Sequence, residues 1–308
     1  MDRGEGYMFG IYFGKYLEEK GVITEDQYIE ILEELTLARL RLGTMAVLKG
    51  IMSEAQADEV NQLQKLQDRR FGDIAIEKGY LTDEQVGALL KLQGDQYLLC
   101  IQVLTDRNLL SLEQIQKHIQ AYKREGQFSA LELDALKSGD LDRIIPIFTR
   151  EASIPPVMRD YMALMARNVV RFISGDLRLE PAQRINDYRS DYMAAQVMNG
   201  EFKLLVGIAG DRSAFLQAAS IFGQERFTEI NEDSLDSMCE FINCSNGLYA
   251  SRMSEDDVEL ELSPPEMYKR EVRLWTDGPM YLIPMYISNR RLDLVICLES
   301  KWHLTSEV

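Results

Sequence analysis

The second half of the chain contains an informative stretch, Asp236-Ser237-Met238-Cys239-Glu240-Phe241-Ile242-Asn243-Cys244-Ser245-Asn246-Gly247. Asn231 precedes it as a predicted N-cap, and Glu232 and Asp233 follow where the helix dipole favours negative charge. The stretch and its flanks are therefore predicted to form one helix.

This predicted helix has two distinct sides. At about 100° per residue, one side collects mostly apolar residues, namely Leu235, Met238, Cys239, Ile242, Asn246 and Tyr249. The neighbouring side carries Asp236, Glu240, Asn243 and Gly247. Because a glycine inside a helix costs roughly 1 kcal/mol relative to alanine, Gly247 indicates close approach of another molecule. Acid and amide residues at this spacing are also common on solvated helix faces, so spacing alone fits a surface without function.

Length and charge restrict the function classes. The 308 residues are enough for two domains, and the net charge of −16 disfavours nucleic acid and anionic membrane surfaces as partners. The chain has no run of about 18 apolar residues, and its first residues lack the pattern of a signal peptide. We therefore expect a cytoplasmic protein that neither binds nucleic acid nor inserts into a membrane.

The four cysteines and two histidines do not have the spacing of metal ligands. Neither histidine lies near a serine or cysteine motif, so a catalytic triad has little support. We expect no metal site and unreactive thiols.

Residues 9–122 repeat every 29 positions. Each repeat contains S/T-x-x-Q, which is typical of a capping box at the start of a helix. The four pairs are Thr24 and Gln27, Ser53 and Gln56, Thr82 and Gln85, and Ser111 and Gln114. Three residues before each pair stands a residue that tolerates the left-handed conformation ending a helix: Gly21, Gly50, Gly79 or Asn108. The repeat predicts an array of four helical hairpins.

Two of these repeats resemble tandem motifs of the GspE/MshE N-terminal domain, found in type II secretion and pilus ATPases. The matching positions are Arg41, Gly43 and Gln64 in the first motif and Arg70, Gly72 and Gln93 in the second. Several motif leucines are replaced, most seriously by Asn61. The resemblance implies binding of cyclic di-GMP, in which the arginines would pair with phosphates or guanine edges. The alternative is a docking module that has kept the fold without the ligand.

Composition and pattern divide the chain into a helical repeat domain at 1–124, a linker with a short helical piece at 125–154, and a second domain at 155–308. The second domain is predicted to contain helices at 157–173 and 212–222 besides the helix quoted above. A strand hairpin is predicted at 192–197 and 202–208 around Asn199-Gly200, which is a strong turn signal. Further strands are predicted at 258–262, 272–275, 281–287 and 292–298. Helices inserted into a largely antiparallel sheet give an α+β domain.

The region 155–302 resembles the CheX/CheC family of chemotaxis phosphatases in its element order and in one motif. The family carries [D/S]-x3-E-x2-N and a proline some twenty residues later. Here the motif is Asp236, Glu240 and Asn243, followed by Pro264 or Pro265, with Pro265 one residue short of the usual spacing.

The resemblance implies dephosphorylation of the aspartyl phosphate of a CheY-like response regulator. The asparagine, here Asn243, would hold a water in line with the phosphate, and the glutamate, here Glu240, would pair with a lysine of the regulator. Asp236 and Gly247 would contact the partner. The protein would need no cofactor of its own, because the regulator would hold the Mg²⁺.

CheC-type members carry a second motif on the first helix of the domain. Asp160, Leu164 and Arg167 occupy the corresponding positions here, so we expect one site per chain. That pattern is CheX-like and implies a homodimer.

Three functions fit these features. The first is a response-regulator phosphatase with a regulatory or docking N-terminal domain that binds cyclic di-GMP. The second is a non-catalytic cyclic di-GMP receptor or an adaptor in two-component signalling, and the third is a structural scaffold. Glu240 and Asn243 favour the phosphatase, because an adaptor needs neither, whereas Arg41 and Arg70 favour the receptor.

Overall fold

The computed structural model describes residues 8–37, 41–67, 70–91 and 95–306. The chain divides into two compact units, one at 7–139 and the other at 140–308. The first unit is helical, and the second combines helices with an antiparallel sheet, as predicted. The boundary falls inside the range 125–154, which contains two helices, one in each unit. None of the helices in the described ranges is both long and apolar enough to cross a membrane.

The first unit contains four consecutive helical hairpins, which confirms the interpretation of the repeat. Its helices are α1 (Met8–Glu19), α2 (Glu25–Leu37), α3 (Leu42–Leu48), α4 (Glu54–Gln67), α5 (Phe71–Glu77), α6 (Asp83–Leu90), α7 (Gln96–Asp106), α8 (Leu112–Glu125) and α9 (Ala130–Ser138).

The predicted capping boxes form in all four hairpins. In the first, the Thr24 backbone N–H donates to Gln27 Oε1 at 2.8 Å, and the Gln27 N–H donates to Thr24 Oγ1 at 3.2 Å. The same pair of bonds recurs at Ser53, Thr82 and Ser111. The preceding helix ends in the left-handed region each time, with φ of 66° at Gly21, 68° at Gly50, 70° at Gly79 and 54° at Asn108.

A repeated glycine brings the two helices of a hairpin together. A Cβ on Gly14 would lie 2.9 Å from the ring of Tyr28, and one on Gly72 would lie 3.2 Å from Val86 Cγ1. Tyr28 and Val86 hold the same position in their repeats. The glycine is therefore required by close packing within the hairpin.

The hairpins do not form an open row, because the first packs against the fourth. Phe9 of α1 makes an edge contact with Tyr97 of α7 at 5.0 Å between ring centroids. Tyr16 of α1 lies 5.1 Å from Tyr122 of α8 in the same measure. The aromatic residues of α1 explain this arrangement, since burying their large apolar rings stabilises the contact between the two hairpins.

The second unit begins with two helices and continues with strands and two further helices. In chain order its elements are α10 (Leu141–Thr149), α11 (Pro156–Phe172), β1 (Arg178–Leu179), β2 (Gln183–Gly200), β3 (Leu204–Gly210), α12 (Arg212–Phe222), α13 (Glu232–Glu255), β4 (Leu260–Leu262), β5 (Glu266–Ile287), β6 (Arg290–Leu298) and β7 (Trp302–Thr305). The predicted helices at 157–173 and 212–222 correspond to α11 and α12.

The seven strands form one sheet in the order β1-β5-β6-β3-β2-β4, with β7 on β5 and an additional pairing of β2 with β5. All pairings between the described strands are antiparallel. Along β2, Met193 and Ala195 join an apolar cluster on one face of the sheet. Because side chains alternate along a strand, Ala194 and Gln196 point to the opposite face, where α13 packs against β2.

The predicted strands at 272–275 and 281–287 are one strand, β5, so their separation was wrong. The register shifts between the pair Asp187↔Trp275 and the pair Ile185↔Met280. Gly278 and Pro279 therefore lie in a bulge of a continuous strand, in the interval that separated the two predicted strands.

The hairpin of β2 and β3 is confirmed, but its turn is not at Asn199-Gly200. These two residues end β2 and pair with Glu261 and Leu260 of β4. A Cβ on Gly200 would lie 2.0 Å from the carbonyl oxygen of Glu259. Gly200 is thus required by the approach of a neighbouring strand, which the local sequence pattern does not reveal.

The packing of the repeated glycine gives a matched pair of stability predictions. Gly14→Ala should lower the free energy of unfolding by about 1–3 kcal/mol, because the new methyl group must displace the Tyr28 ring. Gly87→Ala, in a helix position where a Cβ meets nothing within 4 Å, should raise it by up to about 1 kcal/mol. Urea denaturation followed by circular dichroism measures both, and equal effects of the two variants would contradict the packing argument.

Candidate functional site

Helix α13 presents the predicted motif to solvent. Asn231 caps it in a capping box with Ser234, and its apolar side is fully buried at Met238 and Ile242. Asp236, Glu240 and Asn243 are exposed on the other side. The three side chains therefore share an accessible face of one rigid helix, as the periodicity predicted.

The side chain of Asn243 is exposed, but a hydrogen bond from a buried residue restrains it. Its Oδ1 accepts a hydrogen bond of 2.7 Å from Nε2 of Gln196, a residue of β2 that is only 2% exposed. The same Nε2 donates to the backbone carbonyl oxygen of Ser263, also at 2.7 Å. One buried amide thus connects the motif asparagine to the sheet.

The hydrogen-bond network continues into the interior. Asn246 Nδ2 donates to Gln196 Oε1 at 2.8 Å, and Tyr161 Oη on α11 donates to Asn246 Oδ1 at 2.5 Å. Asn246 and Tyr161 are 0% exposed. Desolvation raises the pKa of Tyr161, so its hydroxyl stays protonated and acts as a hydrogen-bond donor at neutral pH.

The loop that carries the two prolines lies beside Asn243. Ser263, Pro264 and Pro265 connect β4 to β5, and Ser263 Oγ accepts from the N–H of Val197 on β2 at 3.2 Å. Since Gln196 bonds both Ser263 and Asn243, the motif proline and the motif asparagine occupy neighbouring positions.

The remaining motif residues are open to an approaching molecule. Among the described residues, neither Glu240 nor Asp236 has an ion-pair or side-chain hydrogen-bond partner. A Cβ on Gly247 would meet nothing within 4 Å, so packing among the described residues does not require glycine there. These features fit contact with a second molecule.

The site offers groups that position atoms, and the described thiol beside them, that of Cys239, is not an activated nucleophile. Burial, followed by the nearby Asp236 carboxylate, raises the pKa of the Cys239 thiol to about 11. The thiol is therefore protonated at neutral pH and a poor nucleophile. An amide and a carboxylate on an exposed helix can orient water and bind a cation, which is the chemistry that this face supports.

Helix α11, the first helix of the predicted domain at 155–308, lacks a second site of this kind. Leu164 of α11 is buried, and the guanidinium of Arg167 pairs with Asp142 of α10. Asp160 is exposed, but Arg167 stands at the position where the motif would have its asparagine. The described residues thus contain one E-x-x-N face.

The predicted nucleotide-binding residues are only partly described. The guanidinium of Arg41 pairs with the Asp106 carboxylate, and its backbone N–H donates to Gln102 Oε1 at 2.9 Å. Gln93 lies outside the described residues, and so does the side chain of Gln64. Arg41 is therefore engaged within the chain.

The two motif glycines have a structural role. A Cβ on Gly43 would lie 2.9 Å from the Phe71 ring, and Gly72 packs against Val86. Helix packing accounts for both glycines without a ligand.

Among the described residues, a groove of about 660 Å³ is lined by residues of the first motif and none of the second. Arg41 and Gly43 line it, whereas Arg70 and Gly72 are not among the described residues along its wall. Three of its lining residues are acidic: Glu54, Asp58 and Asp106.

Sequence reasoning missed the residues that hold Asn243 in place. Gln196 is the polar residue within the otherwise apolar stretch 193–198 of β2, and Asn246 is an amide on the apolar side of α13. A buried amide needs hydrogen-bond partners. A polar residue at each of these two apolar positions was therefore the feature of the sequence that could indicate a buried network. Their meeting with Tyr161 depends on the packing of three separate elements.

Removal of the Tyr161 hydroxyl from the buried network should destabilise the protein. Tyr161→Phe should lower the free energy of unfolding by about 1–3 kcal/mol, because Asn246 Oδ1 loses its donor in a site without solvent. Tyr286→Phe is the matched control, since that hydroxyl has no hydrogen-bond partner among the described residues. Chemical denaturation measures both variants, and equal stability of Tyr161→Phe and wild type would show that the bond contributes nothing.

Part of the second unit matches a known protein family. Residues 192–277 match the family model described as chemotaxis phosphatase CheX. Three solved structures are similar to the second unit. Chemotaxis protein CheX from Vibrio vulnificus is 18% identical with a TM-score of 0.41, covering 47% of this chain and 100% of that one. The corresponding CheX from Desulfovibrio desulfuricans is 14% identical with a TM-score of 0.41, covering 47% and 100%.

The third is the CheX–CheY–BeF3–Mg²⁺ complex from Borrelia burgdorferi, which is 9% identical with a TM-score of 0.38 and covers 47% of this chain and 97% of that one. No curated protein matched the chain. On the family-model match, which includes Asp236, Glu240, Asn243 and Gln196, the region 192–277 is a CheX family domain.

Proposed function

We propose that the second unit is a phosphatase that hydrolyses the aspartyl phosphate of a CheY-like response regulator. The observation that carries the proposal is the exposed Asn243 carboxamide, held by Gln196 at 2.7 Å beside an exposed Glu240. Both residues lie inside the range that matches the CheX family model. An interface that only binds would need no immobilised amide at its surface.

The chemistry suits an amide without a titratable base. Phosphoryl transfer depends mainly on positioning and charge stabilisation rather than on covalent chemistry from the protein. Asn243 would hold the attacking water in line with the phosphorus atom. The regulator would supply the phosphate, its own Mg²⁺ and most of the charge stabilisation.

The exposed acidic face would bind the regulator. Glu240 would pair with a lysine of the regulator, and Asp236 would add negative charge on the same face. Gly247 would allow close contact with the partner's backbone, in keeping with the open space around it. One site per chain, and pairing of two chains as a homodimer, are parts of the same proposal.

Decay of a phosphorylated CheY-type regulator tests the catalytic role. Asn243→Ala should reduce the acceleration about 100-fold or more, because the water loses its positioning group, while regulator binding measured by calorimetry stays near that of wild type. Glu240→Ala should weaken binding. The exposed Glu255 at the far end of α13 provides a charge-matched control, Glu255→Ala.

Several outcomes would contradict the proposal. No acceleration by wild type across the CheY-type regulators of the same genome would remove the phosphatase and leave the receptor or adaptor. Loss of folding in Asn243→Ala would make the residue structural. Unchanged binding by Glu240→Ala would remove its assigned role.

Cyclic di-GMP binding by the helical unit is a second candidate function. The groove of about 660 Å³ beside Arg41 favours it, since its size suits a small molecule. The carboxylates of Glu54 and Asp58 on its wall oppose it, because they repel phosphates, and Asp106 competes for Arg41. Binding therefore requires that the Arg41–Asp106 pair opens.

Calorimetric titration with cyclic di-GMP tests this second function. If the groove binds the nucleotide, Arg41→Ala should abolish the heat signal, whereas Arg70→Ala, outside the groove, should reduce it less. An equal effect of both variants would favour the tandem-motif interpretation over the groove. Absence of heat with wild type would leave the helical unit as a docking module.

A further inference from the structure

We infer that Gln196 is a positioning residue that fixes the direction in which Asn243 presents its carboxamide. Gln196 is 2% exposed and does not reach the surface that a regulator would touch. It acts through Asn243 and holds that side chain in one orientation before a partner arrives. The catalytic consequence of this inference rests on the proposed phosphatase function, but the orientation itself does not.

A single backbone carbonyl sets the polarity of the whole network. The Ser263 carbonyl oxygen can only accept, so Gln196 must turn its Nε2 toward it, at 2.7 Å. The second hydrogen of that Nε2 then goes to Asn243, at 2.7 Å, and Gln196 Oε1 faces Asn246. The Asn246 amide must donate to this oxygen, which leaves its own Oδ1 to accept from Tyr161.

The polarity determines what Asn243 offers at the surface. Its Oδ1 receives a hydrogen bond from Gln196, so Nδ2 and one lone pair of Oδ1 remain without a partner among the described residues and are available at the exposed face. A free asparagine side chain samples several rotamers and both amide orientations, and ordering it costs conformational entropy. Gln196 removes that cost in advance, which is the condition for precise placement of a water.

The substitution Gln196→Glu tests this role with little change in shape. A carboxylate at this position lacks the N–H groups and faces two acceptors, the Ser263 carbonyl and Asn243 Oδ1, while it can still accept from Asn246. Gln183→Glu is the matched control, because it makes the same charge change at an exposed position of the same strand.

Steady-state dephosphorylation of a CheY-type regulator gives the first readout. In the full-length protein, Gln196→Glu should lower kcat about 10- to 100-fold with KM for the regulator unchanged, and Gln183→Glu should lower neither. In an Asn243→Ala background, Gln196→Glu should have no further effect, because its action passes through Asn243. A loss of equal size in both backgrounds would overturn the inference and make Gln196 merely structural.

Nitrogen-15 relaxation of side-chain amides gives a second readout that does not require catalysis. The Nδ2 signals of Asn243 are identified by their disappearance in Asn243→Ala. Their order parameter should be high in wild type and fall in Gln196→Glu, and an unchanged value would refute the positioning role. If wild type accelerates no regulator, the proposed function fails, but this measurement still decides whether Gln196 orders Asn243.

Discussion

The candidate site depends on one buried amide, that of Gln196, which makes three hydrogen bonds to separate elements. Gln196 extends from β2 to the loop after β4 through Ser263, and to α13 through Asn243 and Asn246. A buried amide that lacks partners is costly, whereas a satisfied one favours a single arrangement of the elements around it. The network therefore fixes the position of α13 on the sheet. It also fixes the orientation of the Asn243 side chain, which must be placed accurately.

The helical unit uses a different constraint, which is repeated along the sequence. Each capping box starts the second helix of a hairpin, and each left-handed residue ends the first. The glycine that allows close helix contact stands opposite a larger side chain, as at Gly14 and Tyr28. These are local requirements, so the same residue types recur at a fixed spacing along the chain. Helix packing therefore explains the repeated glycine, and no ligand is needed to account for it.

The two halves of the chain thus differ in how strongly their motifs point to function. On α13, Gly247 has open space around it and Glu240 faces solvent, so contacts within the described chain do not explain these residues. In the helical unit, Gly43 meets Phe71 and Arg41 meets Asp106, so contacts within the chain do explain them. This contrast places the stronger functional argument on α13.

Features that depend on neighbouring residues can be predicted from the sequence. The hairpins at 9–122 follow from a 29-residue repeat, while their caps and the two-sided helix with Asp236, Glu240 and Asn243 follow from spacings of three to four residues, because helix geometry and capping are local. Features that depend on distant contacts appear only in the folded structure. The local pattern predicts a turn at Gly200, whereas this residue pairs with β4, and the predicted strands at 272–275 and 281–287 are one bulged strand. Gln196 gains its role because strand, loop and helix meet, and a pairing between distant elements leaves no fixed spacing in the sequence.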